Sequence, residues 1–151
     1  MKKSFHIILI LLFAVGITLA QSKPGTTAEA EAMVKKAIEF YKANGAEKAF
    51  EEVSNPKGKF IKGDLYIFVY DMSGKCVAHG GNAKQVGKDL IELKDSDGKA
   101  FVKERVDLAK AKGKGWQDYN WTNPVSKAIE KKRAYIQKAD DYIFGCGAYS
   151  K

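Results

Sequence analysis

The sequence has few cysteines, few prolines and no second long hydrophobic run. Two of its 151 residues are cysteines and three are prolines. This count is too low for a small domain held together by disulfides, and the missing CxxC and CxxCH motifs give no sign of a redox or haem site. No apolar run after residue 20 is long enough to span a bilayer, which excludes a multi-span membrane protein.

Signatures of common enzymes are also missing. The chain has no GxSxG, no HExxH and no phosphate-binding P-loop. Asp95-Ser96-Asp97-Gly98 begins like a calcium loop but lacks the third acid and the distal glutamate, so we assign it to a turn. The sequence therefore predicts no enzyme, no metal and no cofactor.

The composition that remains is typical of one globular domain. Hydrophobic residues make up 45% of the chain, aromatic residues 11% and charged residues 29%. The formal net charge is +8, from 26 basic and 18 acidic residues. Because the lysines are scattered and no arginine-rich run occurs, this charge indicates a solvated surface and no nucleic-acid partner.

The N-terminus has the three parts of an export signal. Lys2 and Lys3 are basic, Ile7–Ala20 is apolar, and Thr18 and Ala20 are small residues before a cleavage position. The run of 14 residues is shorter than a membrane span. We therefore predict a signal peptide over residues 1–20, a linker over 21–26, and a mature chain that is periplasmic or secreted. An uncleaved N-terminal anchor is the alternative.

Hydrophobic periodicity predicts an α+β fold. Thr26 and Glu29 have the spacing of a capping box before a long helix, and Pro56 ends a second helix. The remaining predicted elements are strands at 65–70 and 75–79, an irregular segment at 83–98, a helix at 101–112, and strands at 116–121, 132–137 and 142–149. This order predicts a PAS-like five-stranded antiparallel sheet, with the N-terminal helix on one face and a helical crossover between strands two and three on the other.

Several short motifs occur in an order that indicates a protein family. They are YIFVYDMSGK at 66–75, Ala78-His79 with Gly87–Leu90, Lys94–Lys99, Gly115-Trp116 with Tyr119 and Trp121, Asn123-Pro124, Lys132 with Tyr135, and Gly145 with Gly147 and Tyr149. The chain thus resembles the single Cache domain, the extracytoplasmic sensor module of bacterial receptors, over about residues 27–151. The resemblance implies binding of a small organic acid or amino acid. It also implies an envelope receptor or kinase as partner, with this chain as a free-standing version.

Strand alternation and the resemblance together select the candidate ligand-binding residues. They are Tyr70, His79, Trp116, Tyr119, Trp121, Lys132, Arg133 and Tyr135. Aromatic residues with polar edges and one cation suit a small molecule with an anionic head. Since Lys132 and Arg133 are adjacent on a strand, only one of them can face a pocket. The resemblance supports His79 and the Lys-x-x-Tyr spacing of Lys132 with Tyr135.

Two glycines on one face of the last strand predict a hollow. Gly145 and Gly147 carry no side chain to fill it, so either a ligand or a helix backbone occupies the space. With a ligand, we expect residues 80–98 to close over it. With a helix, we expect an interaction protein without ligand, in which the aromatic strand forms core or a dimer face. A homodimer through the N-terminal helix is a separate expectation.

The two cysteines permit one disulfide, Cys76–Cys146. Alternation allows both thiols on one face, but the predicted sheet order places another strand between them, about 9–10 Å of separation. That exceeds the reach of a disulfide, so we expect two buried free thiols. Strict alternation also predicts that Cys76 and His79 lie on opposite faces, which excludes a Cys/His nucleophile.

Overall fold

The computed structural model describes residues 23–150. The predicted signal peptide at residues 1–20 lies outside the described residues, as does the start of the predicted linker. Helices are α1 (Thr27–Asn44), α2 (Ala46–Ser54) and α3 (Phe101–Lys112), with a 3₁₀ turn at Ala83–Gln85. No helix within residues 23–150 has the length and apolar character needed to cross a bilayer.

Seven strands form two sheets. The strands are β1 (Ile61–Lys62), β2 (Leu65–Tyr66), β3 (Phe68–Asp71), β4 (Cys76–His79), β5 (Lys114–Thr122), β6 (Ile129–Ala139) and β7 (Tyr142–Ser150). The main sheet is antiparallel with the order β4-β3-β7-β6-β5. The predicted α+β class and PAS-like sheet order are confirmed. The predicted strand at 65–70 is interrupted at Ile67, whose N–H donates to the Phe60 carbonyl and ties the small β1–β2 ladder to the main sheet.

Helix α1 begins at the predicted capping box. The Glu29 N–H donates to Thr26 Oγ1 over 3.2 Å, and the Thr26 N–H donates back to Glu29 Oε2 over 3.0 Å. Two backbone N–H groups that the helix cannot satisfy are paired in this way. Gly45, at φ +82°, then separates α1 from α2 in a conformation that other residues rarely adopt.

The sheet is covered on both faces, as predicted. On one face, Val34 and Ile38 of α1 pack with Ile67 and Phe144 of the sheet. On the other face, Val102 and Val106 of α3 pack with the next residues along the same strands. Six of the 13 buried residues in that second cluster are aromatic, against three of 15 in the cluster under α1, so the α3 face is the more aromatic of the two.

A bulge in β4 changes one face assignment. Tyr70 pairs with Cys76 and Val69 pairs with Ala78, so Val77 is the extra residue. The bulge resets the alternation, and Cys76 and His79 both lie on the α3 face. The prediction of opposite faces for these two residues is therefore wrong, because strict period two holds only in a regular strand.

Both cysteines are buried and free. Strand β3 lies between β4 and β7, which confirms the predicted separation of the two thiols. The expectation that alternation allows both on one face is corrected: Cys76 lies on the α3 face, whereas Cys146 lies under α1, with its Sγ 3.9 Å from Met33 Sδ. Burial raises the pKa of Cys76 to about 11 and that of Cys146 to about 12, so both remain protonated thiols.

Candidate functional site

Two cations are buried against the same aromatic ring, Phe68, on the α3 face of the sheet. Arg105 of α3 and Lys132 of β6 are each 1% exposed. Within residues 23–150, neither forms an ion pair with a carboxylate. Burying a charge without a counterion is costly, so two such charges in one cluster need an explanation beyond packing.

Arg105 is held mainly by aromatic rings. Its guanidinium carbon lies 4.2 Å from the ring centre of Phe68 and 4.8 Å from that of Tyr70. Nε donates to Gln117 Oε1 over 3.3 Å. Nη2 is buried and has no hydrogen-bond partner among the described residues. The guanidinium is therefore held in a fixed orientation, with one nitrogen, Nη2, that has no partner within residues 23–150. That nitrogen can donate hydrogen bonds to an anionic oxygen.

Lys132 reaches the same cluster from β6. Its Nζ donates to the Tyr149 hydroxyl over 3.2 Å and lies 3.8 Å from the ring centre of Tyr66. Burial, with a further contribution from the charge of Arg105, lowers the pKa of Lys132 to about 7, against the opposing effect of Cys146. A nearby anion would therefore favour the charged form of Lys132.

The predicted glycine hollow exists but is filled by side chains. A Cβ on Gly145 would overlap the ring of Phe68, and a Cβ on Gly147 would lie 2.8 Å from Lys132 Cε. Neither a ligand nor a helix backbone occupies the space, which corrects both alternatives. The two glycines instead let Phe68 and the stem of Lys132 lie flat on the sheet, and this places the ammonium at the cluster.

His79 borders the cluster as a neutral residue. Its Nδ1 accepts the Asn82 N–H over 2.9 Å, which leaves the proton on Nε2. The ring lies 5.1 Å from that of Tyr66. Burial, together with the charges of Lys132 and Arg105, lowers the pKa of His79 to about 3. It is thus a neutral donor rather than the protonated one that would bind an anion most strongly.

Tyrosines complete the polar lining. Burial raises the pKa of the Tyr70 and Tyr119 hydroxyls, while the Arg105 charge opposes the increase, so both keep their protons. Tyr119 stacks on Phe101 with 4.6 Å between ring centres, and Trp121 packs on the same Phe101 at 5.3 Å. Hydroxyl donors therefore stand among apolar walls, as a small ligand with one polar head requires.

A surface groove of about 600 Å³ leads to this cluster. Tyr119, Lys132 and Tyr149 contribute to its lining, and all three also belong to the buried cluster. The rim is charged, with Asp95 and Lys99 among its residues. The groove therefore reaches the Lys132 side of the cluster.

The crossover segment, residues 80–98, also packs against the aromatic cluster of the α3 face. Leu90, Ile91 and Leu93 contact the aromatic residues of the α3 face. Asp95 ties the end of this segment to β5, since its Oδ2 accepts the Asn120 N–H over 2.9 Å. Its Oδ1 accepts the N–H groups of Asp97 and Lys99, which makes it the centre of a turn.

Residues 23–150 contain no group of ligands that could hold a metal ion.

The structure divides the eight predicted site residues between the two faces. Tyr70, His79, Tyr119, Trp121 and Lys132 lie on the α3 face around the cluster. Trp116 and Tyr135 pack on each other under α1, with 5.3 Å between ring centres. Arg133 points the same way, pairs with Asp118 at the surface and lies over Trp116. As alternation required, Lys132 faces the cluster and Arg133 does not.

Sequence reasoning missed the residue at the centre. Arg105 occupies a core position of α3, between Phe101-Val102 and Val106 on the buried face. A charged residue in the apolar stripe of an amphipathic helix was the available signal. Phe68, which contacts both cations, and Tyr66, which contacts Lys132, were not selected as site residues either, although they alternate in phase with Tyr70.

Similar proteins share both this fold and parts of the sequence. The methyl-accepting chemotaxis protein McpP of Pseudomonas putida is 34% identical over 88 residues, or 57% of this chain and 16% of that protein. The sensor histidine kinase MctS of Rhizobium johnstonii is 32% identical over 88 residues, or 57% of this chain and 19% of that protein. The match thus spans less than a fifth of the length of these curated relatives.

Solved structures agree with the sequence matches. One, which describes the structural basis for carboxylic acid recognition by a Cache chemosensory domain, superposes with a TM-score of 0.70 at 26% identity. That alignment covers 83% of this chain and 93% of the other. The model of the family "Single Cache domain 2" matches residues 11–151. The chain therefore belongs to the single Cache domain family, the extracytoplasmic sensor domains of chemoreceptors and sensor kinases.

Proposed function

We propose that this domain senses a short carboxylate, which binds between Arg105 and Lys132. The observation that supports this most is the buried, unpartnered Nη2 of Arg105 beside a second cation without a counterion. A carboxylate supplies what both groups lack, namely negative charge and acceptor oxygens. The solved carboxylic-acid-recognising relative adds support from a separate direction.

The lining favours a simple acid over an amino acid. The side chains in contact with the two cations are hydroxyl, amide and aromatic groups, and within the described residues none of these contacts is a carboxylate. The ammonium of an amino acid would need such an acceptor. We therefore propose short carboxylates without an amino group as the ligand class, with acetate as the test ligand, above glycine and alanine.

The crossover segment is proposed to close the site. Its leucines already pack on the cluster, and its end is held to β5 by Asp95. We further propose that the domain reports to an envelope receptor or kinase, the two classes found among its relatives. The mature chain after Ala20 is the proposed functional form outside the cytoplasm.

Thermal stabilisation of the mature chain tests the proposal. A ligand at 100 times its dissociation constant stabilises the folded state by about 2.7 kcal/mol, which raises the melting temperature by several degrees at this size. We expect a shift with short carboxylates and none with glycine or alanine. A ligand retained from expression must first be removed by dialysis under denaturing conditions and refolding, with mass spectrometry of the released material.

Substitutions then assign the site. Arg105→Met and Lys132→Met should each weaken carboxylate binding at least tenfold, because each removes a charge-assisted hydrogen bond. Lys103→Met on the exposed face of α3 and Lys138→Met on the exposed side of β6 are matched controls that should leave affinity unchanged. No stabilisation by any carboxylate in ligand-free protein would overturn the proposed function.

A further inference from the structure

The hydroxyl of Tyr149 joins four strands at one oxygen. It donates to the Thr122 carbonyl at the end of β5 over 3.0 Å. It lies 3.0 Å from the Tyr66 hydroxyl of β2 and 3.2 Å from Lys132 Nζ of β6. Tyr149 itself is the second-last residue of β7. One oxygen atom therefore links the buried Lys132 ammonium to the backbone at the end of β5.

Hydrogen-bond capacity fixes the direction of each bond. A tyrosine hydroxyl has one proton to donate and two lone pairs to accept with. Since the proton of Tyr149 goes to Thr122, both lone pairs are left for Tyr66 and Lys132. The Tyr66 hydroxyl must then donate to Tyr149. The Tyr149 oxygen thus takes part in three hydrogen bonds, one as donor and two as acceptor. These bonds hold it in a fixed orientation toward the Lys132 ammonium.

Lys132 depends on this acceptor. Within residues 23–150, the Tyr149 hydroxyl is its one hydrogen-bond partner. The other charged or titratable groups that act on the ammonium from the surrounding elements are Arg105, His79, Cys146, Asp64 and Tyr66. None of these is within ion-pairing distance. Two of the three ammonium N–H groups therefore remain free to point elsewhere in the site.

We propose that Tyr149 is a positioning residue for carboxylate recognition, which holds the Lys132 ammonium charged and aimed at the ligand. This inference rests on the proposed function, because the ligand is the second partner of Lys132. Tyr149 does not need to touch the ligand. Its contribution is a fixed lone pair, anchored through Thr122 and Tyr66, that stabilises the buried charge before the ligand arrives.

Tyr149→Phe is the critical variant. It keeps the ring that lies over the ammonium but removes the oxygen, so Lys132 loses its acceptor and gives up its proton more easily. We expect acetate affinity to fall about tenfold at pH 7.5, the effect of one lost hydrogen bond to a charged group. We also expect the pH at which binding weakens to move down, so that affinity recovers toward the wild-type value at pH 6.

Tyr135→Phe on the other face of β6 is the matched control. It also removes a tyrosine hydroxyl, but one that donates to Gln137 Oε1 over 3.1 Å and lies away from the Lys132 cluster. We expect its acetate affinity to stay within about threefold of wild type and its pH profile to keep its midpoint. Isothermal titration of acetate between pH 5.5 and 8.5 measures all three proteins.

The outcomes are separable. If Tyr149→Phe binds acetate like wild type, or is weaker by one factor at every pH, Tyr149 does not position the ammonium and the inference fails. If wild type binds no acetate, the proposed function fails and with it the recognition part of this inference. The link to Lys132 is then still judged on ligand-free protein, where Tyr149→Phe should shift the pH dependence of thermal stability downward and an unchanged profile would refute it.

Discussion

The stem of Lys132 lies directly over Gly147 on the neighbouring strand. A Cβ at Gly147 would be 2.8 Å from Lys132 Cε and 2.9 Å from Ala134 Cβ. Both contacts are closer than side-chain atoms normally approach, so something must move. The glycine is thus part of the site, although no ligand atom would contact it.

Gly147→Ala should therefore displace the Lys132 ammonium. We expect carboxylate affinity to fall about tenfold and the free energy of unfolding to drop by about 1–3 kcal/mol, the usual cost of overpacking. Gly115→Ala is a suitable control, because its new Cβ would meet only the flexible end of Leu108 at 3.3 Å. Equal affinities for Gly147→Ala and wild type, measured by calorimetry, would show that the Lys132 position is not critical.

Arg105→Met should separate stability from binding. The guanidinium is buried with an unpartnered nitrogen, and replacing such a charge by a similar apolar volume is often neutral or stabilising by about 1–3 kcal/mol. We expect the ligand-free variant to resist urea at least as well as wild type while losing carboxylate binding. A variant that unfolds several kcal/mol more easily would mean that Arg105 has a mainly structural role.

Lys132 should make the ligand-free domain more stable as pH rises above neutrality. Its pKa is about 7 in the folded state, against 10.5 in the unfolded chain, so between these values the unfolded state binds more protons. Stability then rises by up to about 1.4 kcal/mol per pH unit. Urea unfolding from pH 7 to 8.5 avoids both the low-pH titration of His79 and the opposite effect of the two thiols. Lys132→Met should flatten this rise.

Carboxylate binding should take up a proton at pH 8. Ligand-free Lys132 is then mostly neutral, and an anion beside it favours the charged form. Titrations of acetate in phosphate and in Tris should give different apparent enthalpies that correspond to uptake of up to about one proton. The same enthalpy in both buffers would argue that the ligand does not contact Lys132.

Asp95→Ala should loosen the crossover segment. Its carboxylate accepts the N–H groups of Asp97, Lys99 and Asn120, and without it these three donors lose their partner, the last two of them in half-buried positions. We expect faster ligand dissociation, by about tenfold, with a smaller change in the association rate. Asp107→Ala, on the exposed side of α3, is the control. Unchanged dissociation in stopped-flow measurements would remove the segment from the closing step.

Local sequence patterns predicted much of the fold correctly. The capping box at Thr26 and Glu29 starts α1, and the predicted helix at 101–112 is the observed α3. Alternation correctly placed Lys132 and Arg133 on opposite faces, because β6 is long and regular. The same rule failed at Cys76 and His79, where the bulge at Val77 changes the alternation by one residue.

The motifs of the sequence by themselves identified the family, and local periodicity determined the order of the elements and that Lys132 and Arg133 lie on opposite faces of β6. Only the tertiary structure decided that Arg105 meets Lys132 across Phe68, that two side chains fill the glycine hollow, and that Trp116 and Tyr135 lie under α1. These are contacts between elements far apart in the chain. Such contacts are set by packing of the two layers on the sheet, which no local pattern records.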